Sequence, residues 1–300
     1  MKYTEIIEKT VMEGRTALTE AQAKQVLKDF GIPVVEEQVF QSIDELKDVK
    51  AACTYPAVLK GLGSRLMHKT ERGLVALDIK NEEELIETAL MIKERAGNDL
   101  EGFLLQPMLK GKREFVAGLF FDVQFGPVVM FGLGGIFTEA LRDVVFRLAP
   151  VDKSQAISMI YEIQGTKLLD AFRGESSPDI DALVKVLTGL SEIAMSIPQV
   201  REIDINPLLV SPDGTVTAVD ALIILGDRKM QQEALHPVNP SDIGDLIYPR
   251  SIAFIGASAE LSKWGQLMFS NVIAGKYTGK VYLVNPRGGE IAGRKVYRRI

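Results

Sequence analysis

The feature that most constrains this chain is an alternation of strong helix starts with short apolar runs. Thr19-Glu20-Ala21-Gln22 is a capping-box pattern, in which the first and fourth residues satisfy orphan amides at a helix N-terminus. Gly31 ends that helix and Pro33 forbids it from resuming. Val34 to Phe40 then reads as a strand, and Ser42-Ile43-Asp44-Glu45 opens a second helix. Pro56 to Leu62 is an apolar run carrying one lysine, and Gly73 to Lys80 alternates well enough to be its sheet partner. Asn81 caps a long amphipathic helix. Three apolar runs follow, Gly102 to Pro107, Arg113 to Phe121 and Pro127 to Phe131, and are expected to form one antiparallel sheet.

Helical periodicity returns from Asp152 to Ile197, with Asp152 and Asp179 as caps and Pro198 as the stop. A hairpin closes this region. Its strands are Val200 to Val210 and Thr215 to Leu225, and Ser211-Pro212-Asp213-Gly214 supplies the turn. Periodicity then fades through Pro237, Pro240 and Pro249, as in a linker. At Ser251 a new unit begins with strand Ser251 to Ile255, a Gly256-Ala257-Ser258 loop, a helix from about Lys263 to Ala274 and strand Lys280 to Val284, a βαβ start. The expectation is an α/β protein with an α+β domain over 1–228, a linker over 229–250 and a partial Rossmann-like parallel unit over 251–300. Such a start implies further βα units, so the chain reads as a fragment or truncated product.

Composition removes several functions. With 35 basic and 40 acidic side chains interspersed and a net charge of −5, no global field attracts a phosphate backbone, and nucleic acid is not an expected partner. The only cysteine, Cys53, excludes an internal disulfide, and the opening stretch from Met1 to Met12 is amphipathic rather than a signal core. No apolar run approaches the roughly 20 residues of a membrane span, so a cytoplasmic protein without membrane contact is expected.

Three constellations carry chemistry. Lys60 ends a buried strand and leads into the glycine-bearing basic loop Gly61 to Gly73, an arrangement suited to gripping a polyphosphate and also met in ordinary basic loops. The order GxxxxGK[ST] is absent, so this is not a Walker loop. His68 lies in that loop, where an imidazole with an ordinary pKa of about 6.5 is a competent nucleophile toward a phosphoryl group. His236, in the linker, reads as a surface residue. The second constellation is Glu202-Ile203-Asp204-Ile205-Asn206-Pro207. Strand alternation puts Glu202, Asp204 and Asn206 on one face, and the short turn lets Asp220 approach Asn206. Oxygen ligands with open water positions suit magnesium shared with phosphates, and the apolar setting argues against a merely solvated face. The third is Gly256-Ala257-Ser258, whose amides and hydroxyl can hold a pyrophosphate at a helix N-terminus.

These residues together resemble the ADP-forming acyl-CoA synthetases, relatives of succinyl-CoA synthetase. The resemblance rests on Leu18 to Lys24 with Phe30-Gly31-Ile32-Pro33, on Pro56-Ala57-Val58-Leu59-Lys60, on His68-Lys69-Thr70-Glu71, on Asp204 to Leu208 with Val219-Asp220-Ala221, and on Ser251 to Ser258 with Val284-Asn285-Pro286. It implies an ATP-grasp domain followed by the start of a CoA-binding domain, and a reversible reaction joining an acid and CoA at the expense of ATP. His68 then matches a phosphorylated histidine and Asp204 an acid that orients or stabilises it. Lys60 and Lys69 match phosphate contacts, Gln106 and Met108 the adenine-holding strand, Glu114 the acid at the ribose or base, and Asn206 with Asp220 the magnesium ligands. Gly256, Ala257, Ser258, Asn285 and Pro286 match CoA contacts. The implied partners are ATP or ADP with Mg2+, CoA, a small carboxylic acid, and the remaining ligase part in cis or as a separate subunit. Two other readings fit parts of the pattern: a non-catalytic nucleotide or CoA sensor, and an ATP-grasp carboxylate–amine ligase.

Overall fold

The computed structural model describes residues 2–47, 54–63, 66, 72–135, 143–171, 174–228 and 239–300. These fall into two compact units, Met1–Gln231 and Gln232–Ile300.

In the first unit, α1 (Tyr3–Met12) and α2 (Glu20–Asp29) precede a small sheet. Both halves of the Thr19–Gln22 capping box form at the start of α2. At its other end the amides of Gly31 and Ile32 return to the Lys28 and Leu27 carbonyls, and Gly31 takes φ 75°, the left-handed stop expected of it. β1 (Gln38–Phe40), α3 (Ile43–Lys47), β2 (Ala57–Leu62), β3 (Val75–Ile79), α4 (Glu82–Ala96) and β4 (Gly102–Pro107) follow. The strands form an antiparallel sheet in the order β1-β4-β2-β3. Leu46, Leu85, Ala89 and Ile92 from the helices share one core with Leu59, Phe103 and Leu105 from the strands.

The second sheet of this unit is built from β5 (Arg113–Asp122), β6 (Gly126–Leu133), β7 (Val144–Leu148), β8 (Val200–Val210), β9 (Val216–Ala218) and β10 (Ala221–Leu225), with α5 (Lys153–Glu162) and α6 (Ile180–Ser196) between β7 and β8. Its order is β10-β8-β5-β6-β7, with β9 also paired to β8. Asp152 and Asp179 cap the two helices as expected. Their apolar faces, with Leu187 and Ile193 wholly buried, join Phe115, Phe131 and Ile205 in the main core. Truncating Leu187 to alanine there should cost about 2–5 kcal/mol.

The second unit holds α7 (Pro240–Ile247), β11 (Ser251–Ile255), α8 (Trp264–Ala274), β12 (Lys280–Val284), β13 (Gly289–Ile291) and β14 (Arg294–Tyr297). β11 and β12 are parallel, as a βαβ start requires, and β14 continues the sheet parallel to β12. Among the described residues no helix is long and apolar enough to cross a membrane.

Three expectations change. The runs from Gly102 to Phe131 do not share a sheet: β4 pairs with β1 and β2, whereas β5 and β6 pair with each other in the larger sheet. Alternation identifies a strand but not its neighbour, and tertiary packing decides that. The strand expected from Val34 to Phe40 is only β1, because Val34 instead bridges to Ala218 and carries the chain from one sheet to the other. Within the expected linker, Asn239 caps α7, while residues 229–238 lie outside the described set.

Candidate nucleotide and CoA sites

β2 is buried along its whole length, and Lys60 within it is only 4% exposed. An ammonium there needs paired charge. Glu20, the first residue of α2, supplies it, with Oε1 2.6 Å from Lys60 Nζ. Asp220 Oδ2 lies 3.4 Å from the same nitrogen, and the Val219 carbonyl accepts from it at 3.3 Å. Burial alone would pull the Lys60 ammonium down, but the Glu20 and Asp220 carboxylates outweigh that effect and hold it above the usual lysine value. One helical turn after Glu20, Lys24 is 2% exposed. Its Nζ meets Glu20 Oε1 at 2.8 Å, Glu37 Oε2 at 2.6 Å and Gln106 Oε1 at 2.9 Å. A continuous buried chain of charge thus runs from Asp220 through Lys60, Glu20 and Lys24 to Glu37 and Gln106.

The acidic hairpin lies at the Asp220 end. Ile205 pairs with Ala221 and Leu208 with Ala218, so the same register sets Asn206 opposite Asp220 across the interruption between β9 and β10. Ile203 and Ile205 are buried while Glu202, Asp204 and Asn206 are not, which places those three on one face as alternation requires. Burial, reinforced by the Glu202 and Asp220 carboxylates, raises the Asp204 carboxyl above the ordinary range. That crowding of negative charge is what a hard cation would relieve. Among the described residues no three His, Cys, Asp or Glu side chains gather closely enough to cage a metal by themselves. Asn206 and Asp220 set two oxygen-bearing side chains opposite each other, donors of the kind magnesium takes alongside water and phosphate oxygens.

At the other end of the buried chain, Glu37, Gln38, Thr54, Gln106 and Pro107 line a cavity of about 290 Å³. The Met108 amide donates to the Pro56 carbonyl at 2.9 Å, so this backbone donor is already engaged. Glu114, half-buried on β5, stands where Gly134 and Gly135 pass over it. A Cβ on Gly135, whose φ is 61°, would come within 2.7 Å of Glu114 Oε2. Beyond that turn, the buried Asp143 carboxylate accepts from the Gln164 and Gly165 amides at 2.8 Å each. Arg113 binds the Leu168, Asp170 and Ser176 carbonyls and anchors the following wall. His68, Lys69 and His236 lie outside the described residues.

In the second unit the five expected CoA residues lie in the two loops that follow β11 and β12, at the carboxyl ends of parallel strands. Gly256 takes φ 86°, and the Gly256 and Ala257 amides donate to the Val284 carbonyl at 2.9 and 3.1 Å. Asn285 Nδ2 donates to the Ala257 carbonyl at 2.8 Å, tying the Asn285-Pro286 loop to the first loop, while Ser258 Oγ accepts from the Glu260 amide at 3.1 Å. Gly265, near the start of α8, packs so closely that a Cβ would fall 2.4 Å from the Gly256 carbonyl oxygen. The Gly256 and Ala257 amides are thus spent on Val284 and do not form the amide cradle expected for a pyrophosphate, although the carboxyl ends of parallel strands are where open α/β sheets bind ligands.

Sequence reasoning did not single out Glu20, Lys24 or Glu37. A signal existed for two of them: Glu20 and Lys24 share a helix face with the buried Ala23 and Leu27, where a charged i,i+4 pair must be paired internally.

A buried strand lysine held by a helix acid and by an acid of the second sheet, followed by a parallel βαβ unit, is the arrangement of an ATP-grasp domain joined to a CoA-binding unit. The ATP-grasp domain family matches residues 9–225 and the CoA binding domain family residues 250–300. Over 229 residues the chain is 42% identical to the acetate–CoA ligase (ADP-forming) I subunit beta of Pyrococcus furiosus, covering 75% of this chain and 98% of that subunit. It is 37% identical over 287 residues to acetate–CoA ligase (ADP-forming) II of Archaeoglobus fulgidus, covering 94% of this chain but 41% of that longer protein. Among solved structures, the acetyl-coenzyme A synthetase 1 of Candidatus Korarchaeum cryptofilum, in complex with coenzyme A and Ca-AMPCP, superposes with a TM-score of 0.70 at 36% identity, over 74% of this chain and 99% of that one. The chain belongs to the ADP-forming acyl-CoA ligase family.

Proposed function

We propose that the chain is the phosphate-handling part of an ADP-forming acyl-CoA ligase, acting in the reversible reaction acid + ATP + CoA = acyl-CoA + ADP + phosphate. The observation that carries this reading is Lys60, whose ammonium is held by Glu20 at 2.6 Å and Asp220 at 3.4 Å, with Asn206 in register opposite Asp220. Glu20 fixes the ammonium in place, and Asp220, on taking magnesium, would free the donor that it holds at 3.4 Å for a phosphate, with no long side chain left to order. Asn206 and Asp220 would hold magnesium, which when bound neutralises phosphate oxygens. Glu114 beside Gly135 would meet the ribose or base, and Lys69 a phosphate.

His68 is assigned as the acceptor of the phosphoryl group. An imidazole nitrogen attacks the γ-phosphorus, the bond to the bridging oxygen breaks, and ADP leaves with the electron pair. Asp204 would orient the imidazole or stabilise its charge. The phosphoryl group then passes to the acid by way of a ligase part, in cis or on a separate subunit, and the CoA thiol displaces phosphate from the acyl phosphate. The Gly256–Ser258 and Asn285–Pro286 loops would contact CoA. A small carboxylic acid as substrate and a cytoplasmic setting complete the proposal.

The test supplies γ-labelled ATP, magnesium and the complementary ligase part to wild type and His68→Ala. Label should appear on wild type in an acid-labile, base-stable linkage and be absent from the variant. Equal labelling and transfer by both would sink the assignment.

A further inference from the structure

Lys24 shares Glu20 with Lys60 and keeps its ammonium at 2% exposure. A methionine could fill that volume without the desolvation cost of a charge. What the ammonium adds is direction. It has three donors and no acceptor, and they meet Glu20 at 2.8 Å, Glu37 at 2.6 Å and Gln106 at 2.9 Å. The atom Gln106 turns toward it must therefore be the carbonyl oxygen, which leaves the Gln106 amide nitrogen as the outward group. That nitrogen makes no hydrogen bond to any described residue, and Gln106 and Glu37 line the same cavity of about 290 Å³.

We propose that Lys24 is a positioning residue for base recognition: by locking the Gln106 carbonyl inward it makes the cavity present an N–H donor beside the Glu37 carboxylate, a pair complementary to the ring-nitrogen acceptor and exocyclic amino donor of a 6-aminopurine. This rests on the nucleotide-binding reading above and adds to it the group that selects the base. The amide of Gln106 meets the ring nitrogen and Glu37 accepts from the amino group. Lys24 touches neither.

The test is calorimetric binding of ATP and of 1-deaza-ATP, which keeps the amino group but carries C–H in place of the ring-nitrogen acceptor, to the full chain with magnesium. Wild type should favour ATP by about tenfold, the equivalent of about 1.4 kcal/mol. Lys24→Met should bring that ratio close to one, Gln106→Leu should do the same, and the double variant should go no further than either. A general loss of packing would weaken both ligands together and leave the ratio alone. Should Lys24→Met not fold, Gln106→Leu decides by itself. A folded Lys24→Met or Gln106→Leu with the wild-type ratio overturns the inference, as does additivity in the double variant. A wild type that binds both ligands equally overturns the inference alone, whereas one that binds neither overturns the nucleotide reading as well.

Discussion

Replacing Glu20 by glutamine removes one carboxylate from between two buried ammoniums. Lys60 would lose the negative charge 2.6 Å away and keep Asp220 at 3.4 Å, while Lys24 would lose that charge at 2.8 Å and keep Glu37 at 2.6 Å; the glutamine oxygen still accepts but is neutral. Stripping one member from a buried pair costs about 3–5 kcal/mol, and because each lysine retains a second acid the lower end applies, about 3 kcal/mol. For a unit of this size that lowers the thermal midpoint by roughly 6–12 °C. The capping box is carried by Thr19 and Gln22 and survives the change, so the loss reports the charge network rather than the helix start. Equilibrium denaturation and calorimetric melting measure it. Glu36→Gln is the control, since that acid is 83% exposed in its pair with Lys28 and its loss should leave the midpoint where it was. Adding Lys24→Met to Glu20→Gln should restore part of the stability, because the acid deficit then disappears with one of the cations. If Glu20→Gln melts within a degree or two of wild type, the network is hydrated and the argument from buried charge fails.

Asp220→Asn should weaken ATP binding in magnesium by about tenfold or more while moving it less in EDTA, because a charged ligand becomes neutral; calorimetry with and without the metal separates the two, and an unchanged magnesium dependence would refute the assignment. Gly135→Ala should destabilise by about 1–2 kcal/mol through its left-handed backbone alone, and it should also disturb nucleotide binding by crowding Glu114, which lies 2.7 Å from the position of the new Cβ. Burial, only partly offset by Lys24, raises the Glu37 carboxyl above its ordinary 4.5. The folded state therefore holds that proton more tightly, and its contribution to stability is full below about 4.5 and lost as pH rises through the raised folded value. Stability of wild type relative to Glu37→Gln, followed by denaturation across that window, should fall with increasing pH; a flat or rising difference contradicts the assigned burial.

Much of the larger unit was legible in the chain. Thr19, Asn81, Asp152 and Asp179 each cap the helix they announce, because a cap is a local transaction between a side chain and amides two or three residues on. The face shared by Glu202, Asp204 and Asn206 was equally legible, since strand periodicity is local too. The pairing of β4 away from β5, and the turn of Val34 toward Ala218, were not, because both depend on partners that alternation does not name. Lys60 could be singled out as an odd charge in an apolar strand. Its counter-ions could not, because Glu20 comes from a helix and Asp220 from the far end of the domain.

That separation bears on how the protein comes into being. Glu20 and Asp220 stand two hundred positions apart and meet on a lysine between them. Contacts of such long range form late, after the entropy of closing the intervening chain has been overcome. On the ribosome, helix α2 and strand β2 would emerge and could take shape well before Asp220 leaves the exit tunnel. Completion of the charge cluster is thus a marker that the whole domain has been made and closed, and an N-terminal product ending short of β10 would expose Lys60 without the acid that finishes its setting.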